Sequence, residues 1–308
     1  MREVKPIRVK PGMSVRELVE EMERSGVLGA GRVAKASRIV AEMFSDRDYT
    51  VFLSIAGPLV PGGLRRVISD LIDMGLVHAV VTTGANVTHD IMLGMGMPIL
   101  VGSHRADDKR LWRRGLSRIY DMYVRRVDIE EFERRIWAIL DEVPEEVRNG
   151  TSIYRLMWEI GSRLPDDSSI LKKAYEREVP VFSPGLLDSM LGMQLWMYSR
   201  LKKLVINPLL DFEKFSDLVY EARKAGAIIL GGGTPKHHVL YMNTLRGGLD
   251  AAVQITTATP EDGSLSGAPL EEAVSWGKVK TDRFVTVHGD ATIIFPVVVA
   301  AALELCGG

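Results

Sequence analysis

The chain has 308 residues, 46% of them hydrophobic and 26% charged, with a formal net charge of -1. That is the make-up of a soluble globular protein with room for one large α/β domain or two smaller ones, and it removes the general electrostatic argument for DNA or an anionic membrane as partner. No apolar run reaches membrane-spanning length, the opening MREVKPIRVKPG lacks a signal-peptide core, and the single cysteine, Cys306, excludes an internal disulfide and a cysteine-rich metal site, so a cytoplasmic protein is expected.

After an extended start, Ser14 and Glu17 have the spacing of a capping box and predict a helix to about Arg24; a second amphipathic helix is expected over residues 31–44. Residues 1–46 therefore read as a helical N-terminal extension. YTVFLSIAG, residues 49–57, is a buried-type strand, and GGLRRVISDLIDMG is a helix ending at Gly75. VHAVVTTGANVTHDIMLGMG repeats that grammar, with strand to about Thr83, a loop, and helix from about Val87. Short strands are expected at 99–102 and 179–182, with helices around 111–123, 129–142 and 151–163 between them. The basic stretch 105–126 has Asp107, Asp108 and Asp121 among its arginines and reads as a solvated helix face rather than a phosphate-binding surface. GAIILGGGTPKHHVLYMNTL gives strand, triple glycine and helix, with Pro235 suited to the first turn. DAAVQITTA and RFVTVHGD are the last strands, and ATIIFPVVVAAALEL is a closing helix that Pro296 should kink.

Strands alternating with helices, and nearly continuous apolar strands, predict an α/β fold: a doubly wound, mostly parallel sheet with helices on both faces. No linker or repeat divides the chain, so residues 1–308 read as one domain. Such sheets bind ligands beyond the carboxyl ends of their strands, where the turns at 57–63, 84–86, 231–233 and 289–290 fall. Glycine lets backbone amides approach a ligand closely, and helix N-termini favour phosphate, so these turns suit either a nucleotide cofactor or the tight connections of the fold itself. None spells G-x-G-x-x-G. His237 and His238 are neighbours on a helix and point to different faces, which argues against a shared metal and leaves His237 as an acid/base or a packing residue.

EEAVSWGKVK, residues 271–280, is not a P-loop: Glu272 stands where the first glycine would be, and Val279 where Ser or Thr would be. It leaves a lysine, Lys278, beside a large aromatic, Trp276, whose ring can exclude water and favour a nucleophilic amine for imine chemistry; a surface lysine on a turn is the alternative. A carboxylate and a tryptophan face are also what a bound organic cation needs.

Taken together, EEAVSWGK, GGGTPKHH, TTGANVTHD, RIYDMYV and DATIIFP resemble the deoxyhypusine synthase family, from about Tyr49 to the C-terminus. The resemblance implies a Rossmann-like fold and a homotetramer of paired dimers with NAD and spermidine bound at subunit interfaces. It implies that Lys278 carries the aminobutyl group of spermidine as an imine and passes it to a lysine of the translation initiation factor 5A precursor. By residue matching, His237 is the acid/base near the reacting amine, and Glu272 and Trp276 help hold the polyamine. Thr83, Gly84, Asp188, Gly232, Gly233, Thr257, Ala258, Asp262, Ser266, Asp290 and Ala291 match NAD-contacting positions, and no metal is implied. The chain departs from the eukaryotic pattern at Ala56, Gly57 and Pro58, at His89 and Tyr241, and at Met193 and Leu265, where polyamine-binding aspartates are expected. A homospermidine-type or other amine transfer, and a silent NAD-binding protein, are the alternatives these departures leave.

Overall fold

A computed structural model describes residues 2–280 and 282–307. In chain order it contains α1 (Val15–Ser25), α2 (Leu28–Ser45), β1 (Tyr49–Ile55), α3 (Arg65–Asp73), β2 (Ala79–Thr82), α4 (Gly84–Gly94), β3 (Leu100–Val101), α5 (Asp108–Arg113), β4 (Leu116–Ile119), β5 (Met122–Arg125) and α6 (Arg126–Glu142). There follow α7 (Glu145–Arg148), β6 (Asn149–Thr151), α8 (Ile153–Gly161), α9 (Ile170–Glu176), β7 (Val181–Phe182), α10 (Met190–Leu201), β8 (Val205–Ile206) and α11 (Leu209–Glu221). The chain finishes with β9 (Lys224–Leu230), α12 (Gly233–Met242), β10 (Ala251–Thr256), α13 (Leu270–Ser275), β11 (Phe284–His288) and α14 (Ala291–Cys306).

The chain gathers into two compact units. The first combines the segment up to Ala56, residues 76–81 and the segment from Lys214 onward; the second takes 57–75 and 82–213. The division is made at four places along the chain, so no single linker marks it in the sequence.

In the first unit the strands lie in the order β11-β10-β9-β1-β2, with β1, β9, β10 and β11 parallel. β10 is buried along its whole length, as a strand covered on both faces must be. Side chains alternate across β1 and show both coverings. Tyr49 turns to α2, its hydroxyl 3.3 Å from Glu42 Oε1, while Phe52, of opposite parity, stacks on Phe215 of α11 at 5.2 Å between ring centres. α1 and α14 join α2 through Val19, Ala34 and Ala301. The capping box at Ser14 and Glu17 forms as the spacing predicts. α14 runs on through Pro296.

In the second unit a polar hub that carries no sequence signature joins α3, α4 and the start of α9. Buried Arg65 donates to Asp90 at 2.6 Å and to Asp166. Asp90 also accepts from Ser169 Oγ at 2.8 Å and from the Ile170 and Leu171 amides at 3.1 and 2.9 Å, which ties α4 to the start of α9. The helix expected at 111–123 is corrected here. α5 ends at Arg113, Gly115 adopts φ +69, and the alternating LSRI and MYVR then pair antiparallel as β4 and β5. α4 starts three residues earlier than expected, because Thr83 caps it by accepting from the Asn86 amide at 3.3 Å; residues 84–86 are its first turn.

Candidate active site

The carboxyl ends of three neighbouring strands, β9, β10 and β11, carry most of the expected site residues in the first unit. β9 runs into Gly231-Gly232-Gly233, where Gly231 and Gly233 have φ +75 and +58, a left-handed backbone that side chains disfavour. Gly232 packs so closely that a Cβ there would lie 2.3 Å from Ser266 Cα. The turn and the loop after β10 are therefore one surface: Ser266 Oγ accepts from the Gly233 amide at 3.0 Å. In that loop Thr257 is exposed, Ala258 is half-buried, and Asp262 accepts from the Ser264 amide at 2.7 Å. After β11, Asp290 caps α14 by accepting from Thr292 N and Oγ1, both at 2.7 Å, with Ala291 buried behind it. A left-handed glycine turn, a hydroxyl-bearing loop and a helix N-terminus on adjacent parallel strand ends are a cradle that suits a phosphate-containing cofactor.

Trp276 and Lys278 follow α13. Trp276 is 67% exposed, which leaves it accessible to a ligand, and Lys278 Nζ lies over its ring, 5.1 Å from the centre. The backbone of Lys278 is pinned on both sides: its amide donates to the Ala273 carbonyl at 3.0 Å and its carbonyl accepts from the Leu249 amide at 2.9 Å. Gly248 makes that junction possible. At φ +103, any Cβ on it would sit 2.8 Å from the Gly277 carbonyl oxygen.

α12 brings His237 into the same field. Burial, and then the positive charge of Lys278, hold its imidazole below the ordinary histidine value, which favours the neutral ring. Its Nδ1 is buried without a hydrogen-bond partner and its ring lies parallel to Tyr241, 5.6 Å away. A neutral imidazole near an ammonium can take up a proton, the acid/base chemistry the motif implies. His238 turns the other way, edge-on to Phe215, and burial, then His237, pull it down to about 4. The preceding residue, Lys236, is 3% exposed; burial pulls it down to about 8, with Glu272 opposing and Lys278 assisting. Glu272 lies exposed in the first turn of α13. Sequence reasoning missed Lys236 and Gly248, since neither burial nor close approach leaves a local pattern.

The remaining expected residues belong to the second unit, where they form a cluster of their own. A Cβ on Gly84 would lie 2.7 Å from both the Leu186 carbonyl and Ser189 Oγ, which sets the start of α4 beside Asp188. Asp188 is exposed and, with Leu187, Met193 and Trp196, lines a mostly apolar groove. His89 is half-buried in α4 and burial holds it below its ordinary value. Leu265, in the first unit, is exposed. Among the described residues no three His, Cys, Asp or Glu side chains gather as a metal would require, and no helix is long and apolar enough to cross a membrane.

Fold and site define an α/β protein of the parallel, glycine-turn type with a lysine–tryptophan–histidine constellation beside its strand ends. The family model for deoxyhypusine synthase matches residues 17–302. A protein of Methanothermobacter thermautotrophicus named as a probable deoxyhypusine synthase is 49% identical over 306 residues, 98% of either chain. Another of that name from Methanopyrus kandleri is 42% identical over 97% of either chain. A solved structure from Entamoeba histolytica, ascribed to the same enzyme, superimposes with a TM-score of 0.68 at 20% identity, covering 95% of this chain and 94% of its own, and supports the fold. The chain belongs to the deoxyhypusine synthase family.

Proposed function

We propose that this protein is an NAD-dependent deoxyhypusine synthase that moves the aminobutyl group of spermidine, by way of Lys278, to a lysine of the translation initiation factor 5A precursor in the cytoplasm. The observation that carries this reading is the conjunction at Lys278: a backbone fixed by Ala273 and Leu249, an accessible indole ring at 5.1 Å, and a neutral imidazole in the same electrostatic field. NAD, when bound, supplies the hydride acceptor for spermidine oxidation and, once reduced, the donor for the final reduction. Gly232, Gly233, Ser266, Asp262, Thr257, Ala258, Asp290 and Ala291 would hold it at the glycine turn and neighbouring strand ends, and Thr83, Gly84 and Asp188 match NAD-contacting positions of the family.

The chain's own residues do the rest. Glu272 offers charge and Trp276 a π face to the polyamine cations. His237, neutral, accepts the proton that the secondary amine sheds as hydride leaves the adjacent carbon. Lys278 gives up its ammonium proton to solvent and its free amine then adds to the carbon of the resulting imine. 1,3-Diaminopropane departs with a proton and a new imine joins Lys278 to the four-carbon fragment. The acceptor lysine repeats that exchange and frees Lys278. Four subunits pairing into two dimers are part of the same proposal.

The test is mass spectrometry of protein incubated with NAD and spermidine and quenched with borohydride: an aminobutyl adduct on Lys278 is expected, absent without NAD and absent in Lys278→Arg, whose guanidinium stays protonated. Parallel assays with the factor precursor and with small amines as acceptors separate protein modification from the other amine transfer that apolar Met193 and Leu265 favour.

A further inference from the structure

Lys236 has no part in the chemistry above, yet the fold buries its ammonium. Its two hydrogen bonds run to neutral acceptors, Gln254 Oε1 at 3.0 Å and the Ala268 carbonyl. Burying a charge without a carboxylate in contact is unfavourable, and an apolar side chain would serve the packing of α12 better. The groups facing it are Glu272, which favours its charge, and Lys278, which opposes it; His237 is its chain neighbour.

The bonds form a closed network. Gln254 projects from β10, fully buried, and its Nε2 donates to the Gly231 carbonyl at 3.0 Å and the Ser266 carbonyl at 2.9 Å. Ser266 Oγ in turn accepts from the Gly233 amide. One lysine on α12 and one glutamine on β10 thus tie the glycine turn to the loop ending at Ala268.

We propose that Lys236 is a positioning residue, a latch that fixes the 264–268 loop against the 231–233 turn before a cofactor binds. The proposal rests on reading these turns as the NAD site. It assigns Lys236 an effect on cofactor affinity and none on the imine steps.

The experiment compares the full-length protein with Lys236→Met, which keeps the length of the stem, and Gln254→Glu, which keeps an acceptor for Lys236 but loses both amide donors. Either folded variant should raise the Kd for NAD about tenfold, Lys236→Met because both hydrogen bonds of the ammonium are gone and Gln254→Glu because two carbonyls lose their donor, while kcat at saturating NAD stays within about twofold. An unchanged Kd, or a fall in kcat with Kd unchanged, overturns the latch. Should neither variant fold, hydrogen exchange on the unaltered protein without NAD decides. The amides of Gly233, Gly267 and Ala268 should open together at one rate, and independent rates overturn the proposal. If the unaltered protein binds no NAD, the cofactor reading fails, and the exchange measurement still judges the latch.

Discussion

Lys278 and His237 place opposite demands on protons: the amine must be free to attack, and the imidazole must be free to receive. The positive charge of Lys278 lies close enough to hold His237 neutral, adding to the effect of burial. Since the neutral ring is the base, transfer should fall as pH drops through that lowered pKa, below the ordinary histidine value. Lys278→Met removes the repulsion, so the His237 ring signals in NMR should titrate at higher pH than in the unaltered protein; an identical titration would refute the coupling. Gly248 tests the other half of the arrangement. Gly248→Ala sets a methyl group into the Gly277 carbonyl at a left-handed φ, and should lower stability by roughly 1–3 kcal/mol in urea unfolding and reduce adduct formation on Lys278 more than NAD binding. Of these residues, Lys278 and Trp276 were readable as candidates because they share one contiguous motif, and His237 because it lies in another. Gly248 was not, because its requirement is set by a segment some thirty residues on along the chain.

Elements were legible where they announced their ends. α1 has its capping box and β9 its glycines, and both lie where the sequence puts them. α9 went unread because it closes without glycine. The Val179 amide reaches back to Ala174 at 2.8 Å and the Glu178 amide to Tyr175 at 3.2 Å, a Schellman closure whose left-handed position, φ +54, is held by an exposed glutamate. Glu178→Gly should therefore stabilise the protein by about 1 kcal/mol, seen as a higher urea midpoint with unchanged m-value; a lower midpoint would mean the side chain contributes something the backbone does not. α10 is apolar on nearly every side and offers no clear period. α11, LLDFEKFSDLVYE, did carry an amphipathic signal that the reading passed over. The β4–β5 hairpin resembles a helix in sequence because its arginines outweigh its alternation.

Across the whole molecule, acid sensitivity should trace to the hub around Arg65. Burial alone would raise Asp166, but hydrogen bonds from Arg65 and Ser168 outweigh it and hold the carboxyl at about 2. A carboxyl lowered on folding contributes stability above its unfolded value and loses it as pH falls through the folded one, so an acid limb is expected between roughly pH 4 and about 2. Asp166→Asn should flatten that limb in urea midpoints measured against pH, and an unchanged slope would remove Asp166 as its source. The fold class was legible from alternation alone, whereas the hub and the two units were not, since both arise from contacts between segments far apart in sequence. That separation bears on how the protein is made. Tyr49 to Ile55 pair with Lys224 to Leu230, and α1 and α2 rest on α14. A nascent chain leaving the ribosome therefore exposes two amphipathic helices and a buried-type strand long before their partners are synthesised. Until β9 and α14 have been made, that early segment carries unpaired strand edge and apolar surface open to aggregation.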